Sequence, residues 1–443
     1  MDMKIIPKGL YGDIQAIPSK SVLHRALICA ALSEGESTIS NTLLSQDIKA
    51  TALALKALGA EVCLEENRIV IKGLTGRVSG TMSTKQSEHA HSELIEQAPR
   101  IINCGESGST LRFMIPVTAA LGIPARFQGE GQLPKRPLQT YFEVLGQKGI
   151  TFDHPKETNL PLAMQGSLKS GHYSIPGSVS SQYITGLLLA LPLCVGDSVV
   201  EVIEPFESKA YVEITLAVMA RFGILIEEKA GAYHIRGGQN YIACDYAVEG
   251  DWSQSAAWLC AGAVNGAVTV YGMDPASKQG DAAVMDILRR FGARIEILKD
   301  GGIRASRDKL TGVLIDAAQI PDIIPVLAAV AVYARGKTKI INAGRLRFKE
   351  SDRLAATAEV LSQLGADIKI DCDSLIIRGK ADLQGGEASG HNDHRIVMAL
   401  AVSASGCREP VTISGYGCIN KSYPHFFEDY RKLGGEAYGI DTR

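Results

Sequence analysis

At 443 residues the chain exceeds one ordinary hydrophobic core and suits two domains of about 200 residues each. Hydrophobic residues make up 46% and charged residues 21%, a globular balance that excludes a disordered chain. A formal net charge of −2 excludes a globally basic nucleic-acid binder and a protein drawn electrostatically to acidic membranes, so any anion site must be local.

The chain opens with MDMKIIPKGLYG, which lacks the apolar stretch of a secretory signal. Pro18-Ser19-Lys20-Ser21 then leads into Val22-Leu23-His24-Arg25-Ala26-Leu27-Ile28, a helical apolar pattern ending near Ser33-Glu34-Gly35, with either serine able to cap it. Lys20 stands at that helix start and Arg25 about a turn further in. A cation there opposes the helix dipole unless an anion lies opposite. Leu58-Gly59-Ala60-Glu61-Val62 follows: an apolar helix end, a glycine that can close the last turn in the left-handed conformation, then an extended segment.

This signature returns at Gly149, Gly223, Gly292 and Gly365, and in weaker form at Leu433-Gly434-Gly435. Copies spaced by roughly 70 to 90 residues suit small α/β subdomains. They predict six internal repeats, three per domain, with the middle boundary near Tyr246 to Gly250. After each glycine except the last the pattern turns strand-like, as in Arg68-Ile69-Val70-Ile71 and Ser374-Leu375-Ile376-Ile377.

Between the repeats lie more helix starts rich in hydroxyls or cations. Ser79 to Gln97, with His89 and His91, is a polar stretch expected to be a loop or an insertion. Gly105-Glu106-Ser107-Gly108-Ser109-Thr110-Leu111-Arg112 is a small-residue turn whose backbone N–H groups can approach a phosphate or carboxylate. Pro116 in the run that follows predicts a kinked or short helix. Gly177-Ser178-Val179-Ser180-Ser181-Gln182 precedes a helix from Tyr183. Arg347-Phe348-Lys349-Glu350-Ser351-Asp352-Arg353 opens a helix over Leu354 to Leu364, Asn392-Asp393-His394-Arg395 opens Ile396 to Ala404, and Asn420-Lys421-Ser422-Tyr423-Pro424 precedes Phe426. Helix starts gathered at one cleft would make a positive pocket on a neutral protein, suited to two small multiply charged anions.

No GxxxxGK[ST] loop and no GxGxxG after a strand occurs, so neither an ATP nor an NAD site is expected. No run of about 18 apolar residues could span a bilayer. His391 and His394 lack a carboxylate-rich set, so no metal site is expected. No GxSxG nucleophile turn supports hydrolase chemistry. Nine scattered cysteines without a CxxC pair, and the absent signal, predict reduced thiols and a cytosolic protein.

At Pro18-Ser19-Lys20-Ser21, Gly108 with Arg112, Lys135-Arg136-Pro137, Ser178 to Gln182, Pro321-Asp322, Lys349 to Arg353, Asn392 to Arg395 and Lys421 the sequence resembles the 5-enolpyruvylshikimate 3-phosphate synthases, in the family's order and over the full length. The resemblance implies an enolpyruvyl transferase-like, inside-out α/β barrel fold: two similar domains, each of three βαβαββ units, closing over an interdomain cleft. Residues 1–19 with 248–443 would form one domain and 20–247 the other.

It further implies transfer of the enolpyruvyl group of phosphoenolpyruvate to the 5-hydroxyl of shikimate 3-phosphate, by a monomer without metal or organic cofactor. Ser180, Ser181 and Ser208 resemble the holders of the shikimate phosphate. Ser21, Arg25 and Gln182 resemble those of its carboxylate, ring and hydroxyls, with Lys349 nearby. Lys20, Gly108, Arg136, Arg353, Arg395 and Lys421 resemble the phosphoenolpyruvate set. Asp322 and Glu350 resemble the acid–base carboxylates, Asp322 as base for the 5-hydroxyl and either Lys20 or Glu350 as proton donor to the enol carbon.

Two departures stand out. Many members carry Asn-Ala-Gly-Thr where Glu106-Ser107-Gly108-Ser109 stands here, and some have asparagine in place of Arg345. Gly108 leaves the space an alanine would fill, which by resemblance implies binding of the inhibitor glyphosate. Two rival readings are the sister transferase acting on a UDP-amino sugar and a non-catalytic anion-binding repeat protein. The first typically has Lys-Asn in place of Lys20-Ser21 and a loop cysteine, and Gly129 to Pro137 contains none. Lys20, Asp322 and Glu350 together speak against the second.

Overall fold

The computed structural model describes residues 2–74 and 98–440, and the stretch with His89 and His91 lies outside them. The chain divides into two compact units, a middle unit Lys20–Val248 and a terminal unit of Met1–Ser19 with Glu249–Arg443. Each has its own continuous hydrophobic core, with Leu27, Phe113, Leu187 and Val218 in the middle unit. Trp258, Leu327, Val397 and Leu400 belong to that of the terminal unit.

Among the described residues the α-helices of the middle unit are α1 (Lys20–Leu32), α2 (Gln46–Leu58), α3 (Gly108–Ala120), α4 (Gln139–Gly146), α5 (Ser181–Ala190) and α6 (Lys209–Arg221). Arg100–Asn103 pairs parallel with Ala125–Gln128, which pairs antiparallel with Leu162–Gln165, and Thr151–Asp153 takes the edge. Gly171–Pro176, Ser198–Ile203, Ala232–Ile235 and Ile226–Lys229 repeat that order. The remaining four-stranded sheet repeats it with Glu36–Ser40 and the hairpin Glu61–Glu65/Arg68–Lys72. Its parallel edge is Tyr246–Ala247, at the far end of the unit.

Every residue of α1 from Val22 to Leu32 is buried, whereas strands bury alternate residues, such as Ile39, Ile69 and Ile71. α1, α3 and α5 are thus interior helices, whereas α2, α6 and the sheets carry the exposed faces, which is the inside-out arrangement.

The terminal unit builds the same pattern with α7 (Trp252–Asn265), α8 (Val284–Phe291), α9 (Ile324–Ala331), α10 (Arg353–Gln363), α11 (His394–Ala404) and α12 (Phe426–Lys432). In one of its sheets the first parallel strand is Leu10–Gln15, beside Gly266–Tyr271. In another, Asp2–Ile6 fills the place a hairpin strand takes elsewhere, between Val411–Ser414 and Glu436–Ile440. Among the described residues the sheets are open and none closes into a barrel.

All six signature glycines take positive φ, between 81° and 108°, as a left-handed helix terminator requires. One expectation needs correction. The sixth glycine is also followed by a strand, Glu436–Ile440, whose partner Asp2–Ile6 lies at the other end of the chain. Of the two alternatives for the helix carrying Pro116, kinked or short, the second does not hold, since α3 runs for 13 residues through it. Proline has no N–H for the carbonyl of Arg112 four residues back. Tyr141 of α4 supplies the missing donor, its hydroxyl lying 2.8 Å from that oxygen. No described helix is long and apolar enough to cross a membrane, and all nine cysteines are free thiols.

Candidate active site

In the middle unit, helix starts and their caps hold the predicted residues. Lys20 is the first residue of α1, and its Nζ pairs with Asp47 Oδ2 of α2 at 2.6 Å. Arg25 points into the interior and donates only to neutral oxygens: Thr215 Oγ1 at 2.7 Å, the Ser21 carbonyl at 2.6 Å, the Tyr211 carbonyl at 2.9 Å and Thr185 Oγ1 at 3.5 Å. Burial lowers its pKa to about 10, an unusual cost for a guanidinium and one that a nearby anion would relieve.

Ser107 caps α3 by accepting from Thr110 N. Arg136 follows a 3₁₀ turn, Leu133–Lys135, and its guanidinium lies over Gly108 where a Cβ would collide with it. The space beside Gly108 is therefore not empty; Arg136 fills it. Glu106 is turned over Gly131, so its carboxylate covers a glycine of the neighbouring turn.

Ser180 caps α5, Ser181 is its first residue, and Gln182 is gripped on both sides of its amide. Its oxygen accepts from Arg112 Nη1 at 2.7 Å and its nitrogen donates to Ser109 Oγ at 3.0 Å. Ser208 precedes α6 at φ 56°, a conformation that is costly for a residue with a side chain, and it forms no side-chain cap of its own helix.

In the terminal unit the predicted residues form one ionic cluster around Arg353, which is 1% exposed. Its Nη1 donates to Asp322 Oδ1 at 2.8 Å, its Nη2 to Glu350 Oε2 at 2.6 Å, and its Nε to Asp393 Oδ2 at 2.8 Å. Lys349 Nζ shares Asp322 Oδ1 at 2.9 Å. Asp393 caps α11 by accepting from Arg395 N, while Arg395 Nη1 reaches the Ser253 carbonyl at 2.6 Å and Gln254 Oε1 at 3.4 Å. Lys421 Nζ donates to the Asn392 carbonyl at 2.7 Å.

Burial alone would raise the Asp322 carboxyl, but Lys349, Arg353 and Arg395 outweigh it and hold Asp322 well below the usual carboxylate range. Asp281 moves the other way. Burial first and the charge of Asp322 next push it up to about 7, against the Ser253 hydroxyl that donates to it and against Arg395. Burial lowers Lys349 from its ordinary value, and Arg353 and Arg345 add to this against Asp322 and Glu350. Opposed shifts in one cluster are the usual mark of acid–base chemistry.

The structure thus brings Asp322, Lys349, Glu350, Arg353, Arg395 and Lys421 into one unit, and Lys20, Ser21, Arg25, Gly108, Arg136, Ser180, Ser181, Gln182 and Ser208 into the other. Sequence reasoning gave no role to Asp47, Arg112, Asp281 or Asp393. Asp393 carried a signal, an aspartate just before an apolar helix, that reads as a cap. Asp47 had none, because nothing local shows that its partner is 27 positions away. Among the described residues no group of three or more His, Cys, Asp or Glu is placed to hold a metal ion.

Known proteins resemble this chain in sequence and in fold. A 3-phosphoshikimate 1-carboxyvinyltransferase of Clostridium kluyveri is 45% identical over 435 residues, covering 98% of this chain and 97% of that one. One from Clostridioides difficile is 44% identical over 436 residues, 98% and 97% of the two chains. The solved EPSP synthase from Acinetobacter baumannii superposes with a TM-score of 0.80 at 24% identity over 100% of both chains. The enolpyruvyl transferase NikO from Streptomyces tendae does so with 0.76 at 16% identity over 100% of this chain and 99% of that one. At such identities these two structures speak for the fold. Residues 5–430 match the family described as EPSP synthase (3-phosphoshikimate 1-carboxyvinyltransferase), and the chain belongs to that family.

Proposed function

We propose that this protein transfers the enolpyruvyl group of phosphoenolpyruvate to the 5-hydroxyl of shikimate 3-phosphate and releases phosphate, a step of the shikimate pathway towards aromatic amino acids. The observation that carries the reading is 45% identity, over 98% of the chain, to a 3-phosphoshikimate 1-carboxyvinyltransferase. The side chains supply the chemistry such a reaction needs.

Asp322 accepts the proton of the 5-hydroxyl. Lys349 and Arg353 keep it ionised but weakly basic, and its basicity rises as those cations turn to the anionic substrates. A substrate carboxylate can replace Glu350 or Asp322 on the fork of Arg353, whose planar donors suit a bidentate partner. Arg395 donates to the Ser253 carbonyl and Lys421 to the Asn392 carbonyl, and both cations serve the same substrate. Lys20 and Glu350 are the two candidates for protonating the enol carbon. Loss of phosphate from the tetrahedral intermediate is helped by Lys20 and Arg136, each contact contributing on the order of a few kcal/mol in the transition state. Ser180, Ser181 and Ser208 offer hydroxyls to the shikimate phosphate, and Ser21, Arg25 and Gln182 serve its carboxylate and hydroxyls. These steps call for no metal or organic cofactor.

The same reading places the protein in the cytosol as a monomer. It also makes glyphosate an inhibitor in the presence of shikimate 3-phosphate, and indifference to millimolar glyphosate would remove that part of it.

The test is release of phosphate from phosphoenolpyruvate by the purified chain. Release should require shikimate 3-phosphate, and a UDP-amino sugar should not replace it. Release with the sugar instead would favour the sister transferase, and release with neither would leave only an anion-binding protein. Lys20→Met should fold normally and lose roughly 10²- to 10⁴-fold in turnover. Near-native turnover would displace Lys20 from the site.

A further inference from the structure

A chain of buried side chains ties together the N-terminal halves of three helices in the middle unit. His24 Nδ1 of α1 lies 2.7 Å from Thr51 Oγ1 of α2, and that oxygen lies 2.7 Å from Thr110 Oγ1 of α3. Thr110 Oγ1 donates to Ser107 Oγ, the cap of α3, at 2.8 Å, and Thr110 N donates to the same oxygen at 3.1 Å. His24, Thr51 and Thr110 are 0% exposed and Ser107 is 2% exposed, so bulk water does not compete for these bonds.

A hydroxyl has one hydrogen to give. Thr110 gives its hydrogen to Ser107, so Thr51 must donate to Thr110, and His24 must donate Nδ1–H to Thr51. The ring is therefore the Nδ1–H tautomer, with a lone pair on Nε2. That atom is buried and has no hydrogen-bond partner among the described residues. Burial, then the charges of Lys20 and Arg25, hold its pKa well below the ordinary value, so the ring stays neutral. His24 follows Lys20 by four positions on α1, one turn along the same face. The far end of the chain, Ser107, adjoins Gly108, on which the Arg136 guanidinium rests.

We propose that His24 is a positioning residue for the phosphoenolpyruvate side of the reaction: its Nδ1–H sets the direction of the Thr51–Thr110–Ser107 chain, which fixes the start of α3 and seats Gly108 against Arg136. The inference rests on the reaction proposed above. Without the donor at Nδ1, Thr51 and Thr110 are free to reverse, Ser107 loses a bond that holds it as a cap, and the Gly108 turn loosens beneath Arg136. The shikimate phosphate set, Ser180, Ser181 and Ser208, lies outside this chain.

His24→Phe keeps a ring beside Phe113 but has no donor, and His24→Asn places an amide N–H where Nδ1–H stood. The phenylalanine variant should raise KM for phosphoenolpyruvate about tenfold. KM for shikimate 3-phosphate should rise by a smaller factor, since α3 meets that substrate's residues only through the bonds of Ser109 and Arg112 to Gln182, and the asparagine variant should recover most of both losses. Should the phenylalanine variant fail to fold, Thr51→Val breaks the same chain and should show the same split. Equal changes in both KM values, or no recovery with asparagine, would overturn the proposal.

Nitrogen-15 NMR of the native protein gives a second readout, with His24 assigned from the signal absent in His24→Asn. The expected ring is the neutral Nδ1–H form throughout the range where an ordinary histidine titrates, around pH 6.5. An Nε2–H tautomer, or ordinary titration, contradicts the chain. If the native enzyme does not turn over shikimate 3-phosphate, the reaction assignment falls, while the NMR result still decides whether the chain has the stated direction.

Discussion

A guanidinium that meets Asp322, Glu350 and Asp393 at once cannot be removed without leaving negative charge in a dry interior. Arg353→Met should therefore destabilise the terminal unit by about 3–5 kcal/mol as well as abolish turnover, since Asp393 would stay buried without its cation. Both tryptophans, Trp252 and Trp258, belong to this unit, so a lower urea midpoint in tryptophan fluorescence reports the loss there. An unchanged midpoint would show that Asp393 finds another partner.

Asp281 supplies a prediction in pH. It holds its proton more tightly when folded, at about 7, than an unfolded aspartate does, so its contribution to stability is largest in acid and falls as pH rises through that range. Asp322 has the opposite sign and loses its contribution as pH falls. In Asp281→Asn the declining term is gone. The stability of the variant relative to the native chain should then rise between about pH 4 and 7 and level off above. Thermal unfolding at several pH values checks this, and a pH-independent difference would refute it. Neither effect could be foreseen from the sequence, where Asp281 is an acid after a glycine and Arg353 a cation at a helix start. Their character comes from partners tens of positions away.

Helices were legible wherever their ends follow local rules. Ser107, Ser180, Asp352 and Asp393 each accept a backbone N–H within the first turn of the helix that follows, as their residue types suggest. Pro116 does not shorten its helix because its cost is met from outside. Tyr141→Phe should strip the Arg112 carbonyl of its donor and cost about 1–3 kcal/mol, read by circular dichroism because the middle unit has no tryptophan. The same bond holds the last turn before Pro116 near Arg112, the residue that grips Gln182, so KM for shikimate 3-phosphate should rise with the loss. Native stability in this variant would mean that the proline turn needs no outside donor.

At the scale of the whole chain, the six glycine-terminated turns made the repeats legible, but one strand pairing crosses nearly the full length of the sequence. Asp2–Ile6 bonds to both Val411–Ser414 and Glu436–Ile440, and among the described residues it is the sole strand partner of Glu436–Ile440. Met3, Ile5, Leu10 and Ile14 also enter the core of that unit. Local pattern cannot reveal such a pairing, because its cause is the unpaired edge left by the opposite terminus. The two units should therefore behave differently when cut free. A fragment of residues 20–248 carries all three of its four-stranded sheets and its own core, and it should fold cooperatively alone. A fragment of residues 249–443 lacks Asp2–Ile6 and Leu10–Gln15 and should remain partly unfolded, with red-shifted emission from Trp252 and Trp258. Adding a peptide of residues 1–19 should shift that emission to the blue in a saturable manner, because the peptide restores an edge strand, a central strand and five core side chains, Ala16 among them, together. Native-like emission from the fragment alone would mean that the N-terminal strands decorate a unit already complete without them.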